Sequence, residues 1–146
     1  MNEAIERAAK IIEAKQDYIG EGMDGVVVLT LIDEDGYPTS SAASISKAEG
    51  IAWMSFLTDV DSNKVSRLLK NRKASVAVVT NSYNINLVGT VEIIIEPEEK
   101  EKHWQPIYTQ AYQSDFNDEE SCVLKFVTER YSLFFSEGDL SAEGRL

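Results

Sequence analysis

The sequence predicts a mainly β protein, a largely antiparallel barrel with small helices on its outside. Short runs of β-branched and aliphatic residues recur between turn signals, about seven in all. Two of these runs precede any segment able to act as a βαβ crossover, which argues against a doubly wound nucleotide fold. Helical periodicity is confined to three short stretches.

Residues 1–20 read as an N-terminal amphipathic helix. Asn2 can cap its start, Ile5, Ala8, Ala9 and Ile12 share a face, and Gly20 and Gly22 stop it. Val26 to Ile32 is a core strand, and Asp35-Gly36 turns the chain back into a strand from Tyr37 to Ile45, with Pro38 at its start. Ser46 to Gly50 turns again, and Ile51 to Leu57 is a third strand. A short helix follows, capped by Asp61 or Ser62 and buried through Val65, Leu68 and Leu69.

Ala74 to Thr80 and Leu87 to Ile95 are the next strands, joined by a loop from Asn81 to Asn86, with Pro97 ending the second. Trp104, Ile107, Tyr108, Ala111 and Tyr112 recur at helical spacing. Pro106 would destabilise a helix interior by about 3 kcal/mol, so it belongs in the first turn or marks a kink. Cys122 to Val127 and Tyr131 to Phe135 are closing strands, and residues 137–146 read as a polar tail. No repeat or linker divides the 146 residues, so one domain is expected.

Twenty-five acids against fourteen Lys plus Arg give a formal charge of -11, which repels duplex nucleic acid and anionic membranes. No run of eighteen apolar residues spans a bilayer, and Glu3, Glu6 and Glu13 are the wrong chemistry for a basic targeting segment. A single cysteine, Cys122, suits a cytoplasmic setting and reads as a buried structural thiol.

Charge is segregated. Residues 62–73 hold five bases and no acid, leaving nine bases and all twenty-five acids elsewhere. Ser62 and Lys64 fall where a helix starts directly after a strand ending Phe56-Leu57-Thr58. A hydroxyl, an ammonium and the free N–H groups of a first helical turn are the donors a phosphate requires. Arg67, three residues on, can share that side of the helix. His103 is the only histidine, so neither a Cys/His metal site nor a Ser-His-Asp triad is expected, and no side chain stands out as catalytic. The ridge Glu92, Glu96, Glu98, Glu99 and Glu101 reads as a solvated edge.

The segments DEDGYPTSSAAS, IAWMSFLTDVDSNKVSRLLKNRKASVAVV and LVGTVEII resemble the FMN-binding split-barrel family, the pyridoxamine 5'-phosphate oxidase-like proteins, in particular their small general-stress-protein branch. The resemblance implies an antiparallel split β-barrel that binds FMN at a homodimer interface. It implies phosphate contacts from Ser62 and Lys64, with Thr58 near the ribityl-phosphate end, and Asn63 and Arg67 complete the expected cofactor-binding set. It implies flavin contacts along Ser41, Ala42, Ala43 and Ser44 and along Trp53, Met54, Ser55, Phe56 and Leu57. Gly89, and Trp104 from the second subunit, would close over the ring. Related chains often carry Arg where Ser41 and Asn63 stand here, so Lys64 and Arg67 must supply the charge.

For function, the resemblance implies an FMN-dependent oxidoreductase that takes a hydride from a nicotinamide reductant and passes it to an unidentified small acceptor, with vitamin B6 oxidation disfavoured. A non-catalytic flavin- or haem-binding stress-response protein is the alternative, and a structural barrel with an empty cleft is a third reading.

Overall fold

The computed structural model describes residues 2–146. Eight strands form one antiparallel sheet: β1 Val26–Ile32, β2 Pro38–Ser44, β3 Ala48–Glu49, β4 Trp53–Asp59, β5 Lys73–Val79, β6 Tyr83–Ile94, β7 Ser121–Phe135 and β8 Leu140–Arg145. Their order is β2-β1-β5-β6-β7-β4-β3, with β8 also paired to β7. The sheet curls into an open half-barrel flanked by short helices, the split β-barrel that the sequence patterning and resemblance implied.

The split originates in β7. Its first half pairs with β4 from Ser121 to Val127, its second half pairs with β8 from Arg130 to Phe135, and β6 accompanies it along nearly its whole length. Sequence patterning divides this strand in two because Glu129 and Arg130 interrupt the apolar run. Those residues instead sit opposite a β-bulge between Val88 and Gly89. A Cβ on Gly89 would lie 1.9 Å from the Val127 carbonyl oxygen. Gly89→Ala is therefore expected to destabilise the fold by about 3 kcal/mol, measured by denaturant unfolding.

Three further expectations need correction. The segment 137–146 is not a free tail: Leu140–Arg145 pairs with β7 as β8. The loop expected from Asn81 to Asn86 is mostly strand, because Asn84 and Asn86 alternate outward with buried Ile85 and Leu87. The single helix expected around Pro106 is two short ones, α3 Pro97–Glu101 and α4 Pro106–Tyr112, each with its proline in the first turn, where the missing N–H has no consequence.

One face of the sheet holds the core. Leu29, Val76, Ile85, Leu87, Leu124, Phe126 and Met54 are buried there. Helices α1 Glu3–Ala14 and α2 Asn63–Lys70 close it through Ala4, Ala8 and Ile12 and through Val65 and Leu68. The buried stripe of α1 thus runs i, i+4, i+8 from Ala4, one position off the expected centre, and a 3-10 turn over Lys15–Tyr18 ends it. Asn2 caps α1 as expected, its Oδ1 accepting from the N–H of Ala4 at 2.8 Å.

The opposite face of β4 is covered by the segment bearing α3 and α4. Lys100 anchors that segment: the residue is 1% exposed, and its ammonium donates to the carbonyls of Asp118 and Ser121 at 2.5 and 3.0 Å. Cys122 lies beside Thr58 and is fully buried, and burial raises its thiol to about 11, so it is an unreactive structural group.

Candidate functional site

A cleft of about 340 Å³ opens between β2, β4 and α4. Its floor is Ala42, Ala43 and Ser44 on one strand and Phe56, Leu57 and Thr58 on the other, and α4 supplies Ile107, Tyr108, Ala111 and Tyr112 as the facing wall. Lys64 closes one end. Among the described residues lining the cleft there is no His, Cys, Asp or Glu. Tyr108 is buried, which raises its phenol above the usual value, so it stays protonated near neutrality. The lining is mainly apolar and aromatic, with Lys64 as its one charged side chain among the described residues.

Lys64 also borders a second concavity of about 270 Å³, formed with Ser41, Ser62, Asn63 and Arg67. Ser62 is the N-cap of α2, its Oγ accepting from the N–H of Val65 at 3.3 Å. Its O–H remains available to donate. The amides of Asn63 and Lys64, in the first turn, have no intrahelical acceptor. Arg67 reaches back from α2 to β2, where Nη1 donates to Thr39 Oγ1 at 3.1 Å. Its Nε is buried with no hydrogen-bond partner, and the nearest carboxylate, Glu34, stands 3.8 Å away and half in solvent. An orphaned buried guanidinium N–H beside an ammonium and a helix start is the donor set of an anion site.

The structure thus brings eleven of the sixteen expected binding residues to these two adjoining concavities. Five lie elsewhere in the chain. Met54 is in the core. Ser55 is buried on the other face of β4, sharing a 2.8 Å hydrogen bond with Nδ1 of His103. Trp53 meets His103 edge-on and lies under Lys125, with its indole N–H on Glu49. Gly89 serves the β6–β7 bulge, and Trp104 borders a smaller pocket that adjoins the cleft.

Of the α4 wall, the sequence singles out Tyr108 alone, as a residue able to stack on an aromatic ligand but read by default as packing. The wall's aromatic spacing reads equally well as core, and only the fold shows Tyr108 fixed against the cleft by Ser46, whose Oγ lies 2.5 Å from its hydroxyl, while Gln105 Nε2 donates to the Ser46 carbonyl.

His103 is held below its usual pKa, first by burial and then by the charge of Lys125. A depressed folded-state value means the unfolded chain binds the extra proton first. Stability from this group is present above about 6.5, the value for a free imidazole, and is lost as pH falls. The unfolding midpoint should drop between pH 7 and 5, and His103→Gln should flatten that slope.

A family model described as pyridoxamine 5'-phosphate oxidase like matches residues 15–139. The chain belongs to that family. None of the curated proteins compared with this family member matches it. Among solved structures it resembles a Clostridium acetobutylicum protein related to general stress protein 26 of Bacillus subtilis, with a TM-score of 0.72 and 22% identity over 94% of this chain and 96% of that one. General stress protein 26 from Bacillus anthracis has a TM-score of 0.72 at 17% identity, over 97% and 98% of the two chains. A pyridoxamine 5'-phosphate oxidase-related, FMN-binding protein from Nostoc punctiforme has a TM-score of 0.71 at 10% identity, over 100% and 97%. At these identities the likeness to the solved structures is one of fold.

The residues present in this pyridoxamine 5'-phosphate oxidase-like chain suit FMN in two respects. Ser62, Lys64 and Arg67 suit its phosphate, and the apolar cleft with its tyrosine wall suits its ring. Bound FMN supplies hydride and electron transfer at its ring. Ser62, Lys64 and Arg67 would hold the phosphate, and Tyr108 and Tyr112 would stand beside the ring.

Proposed function

We propose that this chain is an FMN-binding stress-response protein whose cleft retains the cofactor without adding an acid or base of its own. The observation that carries this reading is the orphaned Arg67 Nε beside Lys64 and Ser62, at the end of a cleft lined by no carboxylate, imidazole or thiol. Membership of a pyridoxamine 5'-phosphate oxidase-like family and the fold shared with an FMN-binding protein and with general stress proteins support it.

The cleft is completed in a homodimer. On the outer face of the sheet, Ala42, Val28, Ala77, Asn86 and Ser132 stand side by side across five strands, and Ser40, Thr30, Ser75 and Val88 form the adjoining row. Neither row bears a charge across β2, β1, β5 and β6, in a chain of which 27% is charged, and the second row meets its first charge at Arg130 on β7. Val28 is 41% exposed within it. Uncharged small and apolar surface in such a chain points to a covering partner, and Ala42 joins this face to the cleft, so a second copy seated there borders the ligand.

The test is the absorption spectrum of freshly purified protein, before and after adding FMN and then a nicotinamide reductant. Flavin bands with fluorescence altered on binding, and no steady turnover, support a flavin binder. Bleaching by the reductant with turnover supports the oxidoreductase instead. A Soret band places haem in the cleft, and a colourless protein that takes up nothing sinks the proposal.

A further inference from the structure

Beside the cleft, and sharing Leu57, Thr58 and Tyr112 with it, lies a smaller pocket of about 150 Å³ that no step above uses. Its other walls come from Asp59, Trp104, Asp118 and Ser121. Leu57 and Asp59 are two residues apart on β4, so both project from the strand face that α4 covers. Trp104 is fixed by its indole N–H donating to Thr109 Oγ1 at 2.9 Å, and its ring packs edge-on against Tyr108. The pocket thus combines a held indole, a phenol and two aspartates.

Neither aspartate has an ion-pair partner among the described residues, and no Lys or Arg lines the pocket. Oδ1 of Asp118 accepts from the N–H of Glu120, leaving the other oxygen free. The buried Lys100 ammonium lies behind the wall, directed at the carbonyls of Asp118 and Ser121. No group of three potential metal ligands exists among the described residues, so two carboxylates here fall short of a metal site. An indole and a phenol beside carboxylates that no Lys or Arg side chain pairs suit instead a cation that carries apolar groups, held by aromatic contact and charge together.

We infer that this pocket binds a small organic cation, a substituted ammonium, as the ligand seated next to the ring-binding cleft. Selectivity for the cation belongs to the pocket itself. That the cation lies against a flavin rests on the function proposed above.

The experiment titrates the full chain, without FMN, with choline and with its neutral isostere 3,3-dimethylbutanol, following the indole N–H resonance of Trp104 and the amide of Tyr112. Choline should shift both signals and bind at least tenfold more tightly than the alcohol. Asp59→Asn with Asp118→Asn should bring choline down to the level of the alcohol, the asparagine at 118 keeping the oxygen that caps Glu120. Because the titration contains no FMN, a failure of the flavin reading leaves its outcome unchanged and is seen separately. Equal binding of the two probes, or choline shifts that persist in the double variant, would overturn the inference.

Discussion

Lys64→Ala is expected to weaken FMN binding at least tenfold, about 1.4 kcal/mol. Lys64 is the one side chain that borders both the ring-sized cleft and the anion corner, so its ammonium sits where the two parts of the ligand join. Arg67→Ala should have a comparable effect. Its Nη1 is spent on Thr39, and its buried Nε has no hydrogen bond, only the Glu34 carboxylate 3.8 Å away, so a phosphate oxygen at hydrogen-bond distance would satisfy it. Lys73→Ala is the control: it lies at the start of β5, bordering a different concavity with Arg130, and should change FMN affinity little. Equal losses from Lys64 and Lys73 would show that diffuse charge, not an ordered corner, attracts the ligand. Each variant's unfolding curve separates lost binding from lost folding.

The second large effect concerns the outer face. Val28→Asp or Ala77→Asp places a carboxylate in the middle of the uncharged rows, where a two-fold axis would bring it near its own copy. Each should convert a dimer into a monomer at micromolar concentration, read by light scattering, and weaken FMN binding with it. The monomer should stay folded, because both positions project away from the core face. A wild-type chain that is monomeric at that concentration would remove the second copy from the site.

Much of the fold is legible in the sequence because its signals are local. The Asp35-Gly36 turn sets the β1–β2 hairpin, with Gly36 at φ 86°, and Asn2 and Ser62 cap the helices they precede. What escapes is set by tertiary contact. Glu129 and Arg130 look like a break until the bulge at Gly89 shows how β6 and β7 continue past them. Residues 140–145 look like a tail because their alternation is weak, and β7 supplies the pairing that makes them a strand.

The candidate site divides in the same way. Ser62 and Lys64 are visible because a helix start after a strand concentrates donors within three residues. The α4 wall is not, because Tyr108 and Tyr112 meet β2 and β4 only through chain closure, and the same spacing serves a buried helix. Extending the expected ring contacts back along Trp53, Met54 and Ser55 overruns the cleft along the strand: Met54 is in the core, and His103 covers Ser55 and Trp53.

An anchored phosphate is what separates FMN from riboflavin, so side-by-side equilibrium titrations of the wild-type protein with the two flavins reach the heart of the account. FMN should bind at least tenfold more tightly, with the difference abolished when Lys64 and Arg67 are both alanine. Equal affinity for the two flavins, or a preference for FMN that survives the double substitution, would contradict it.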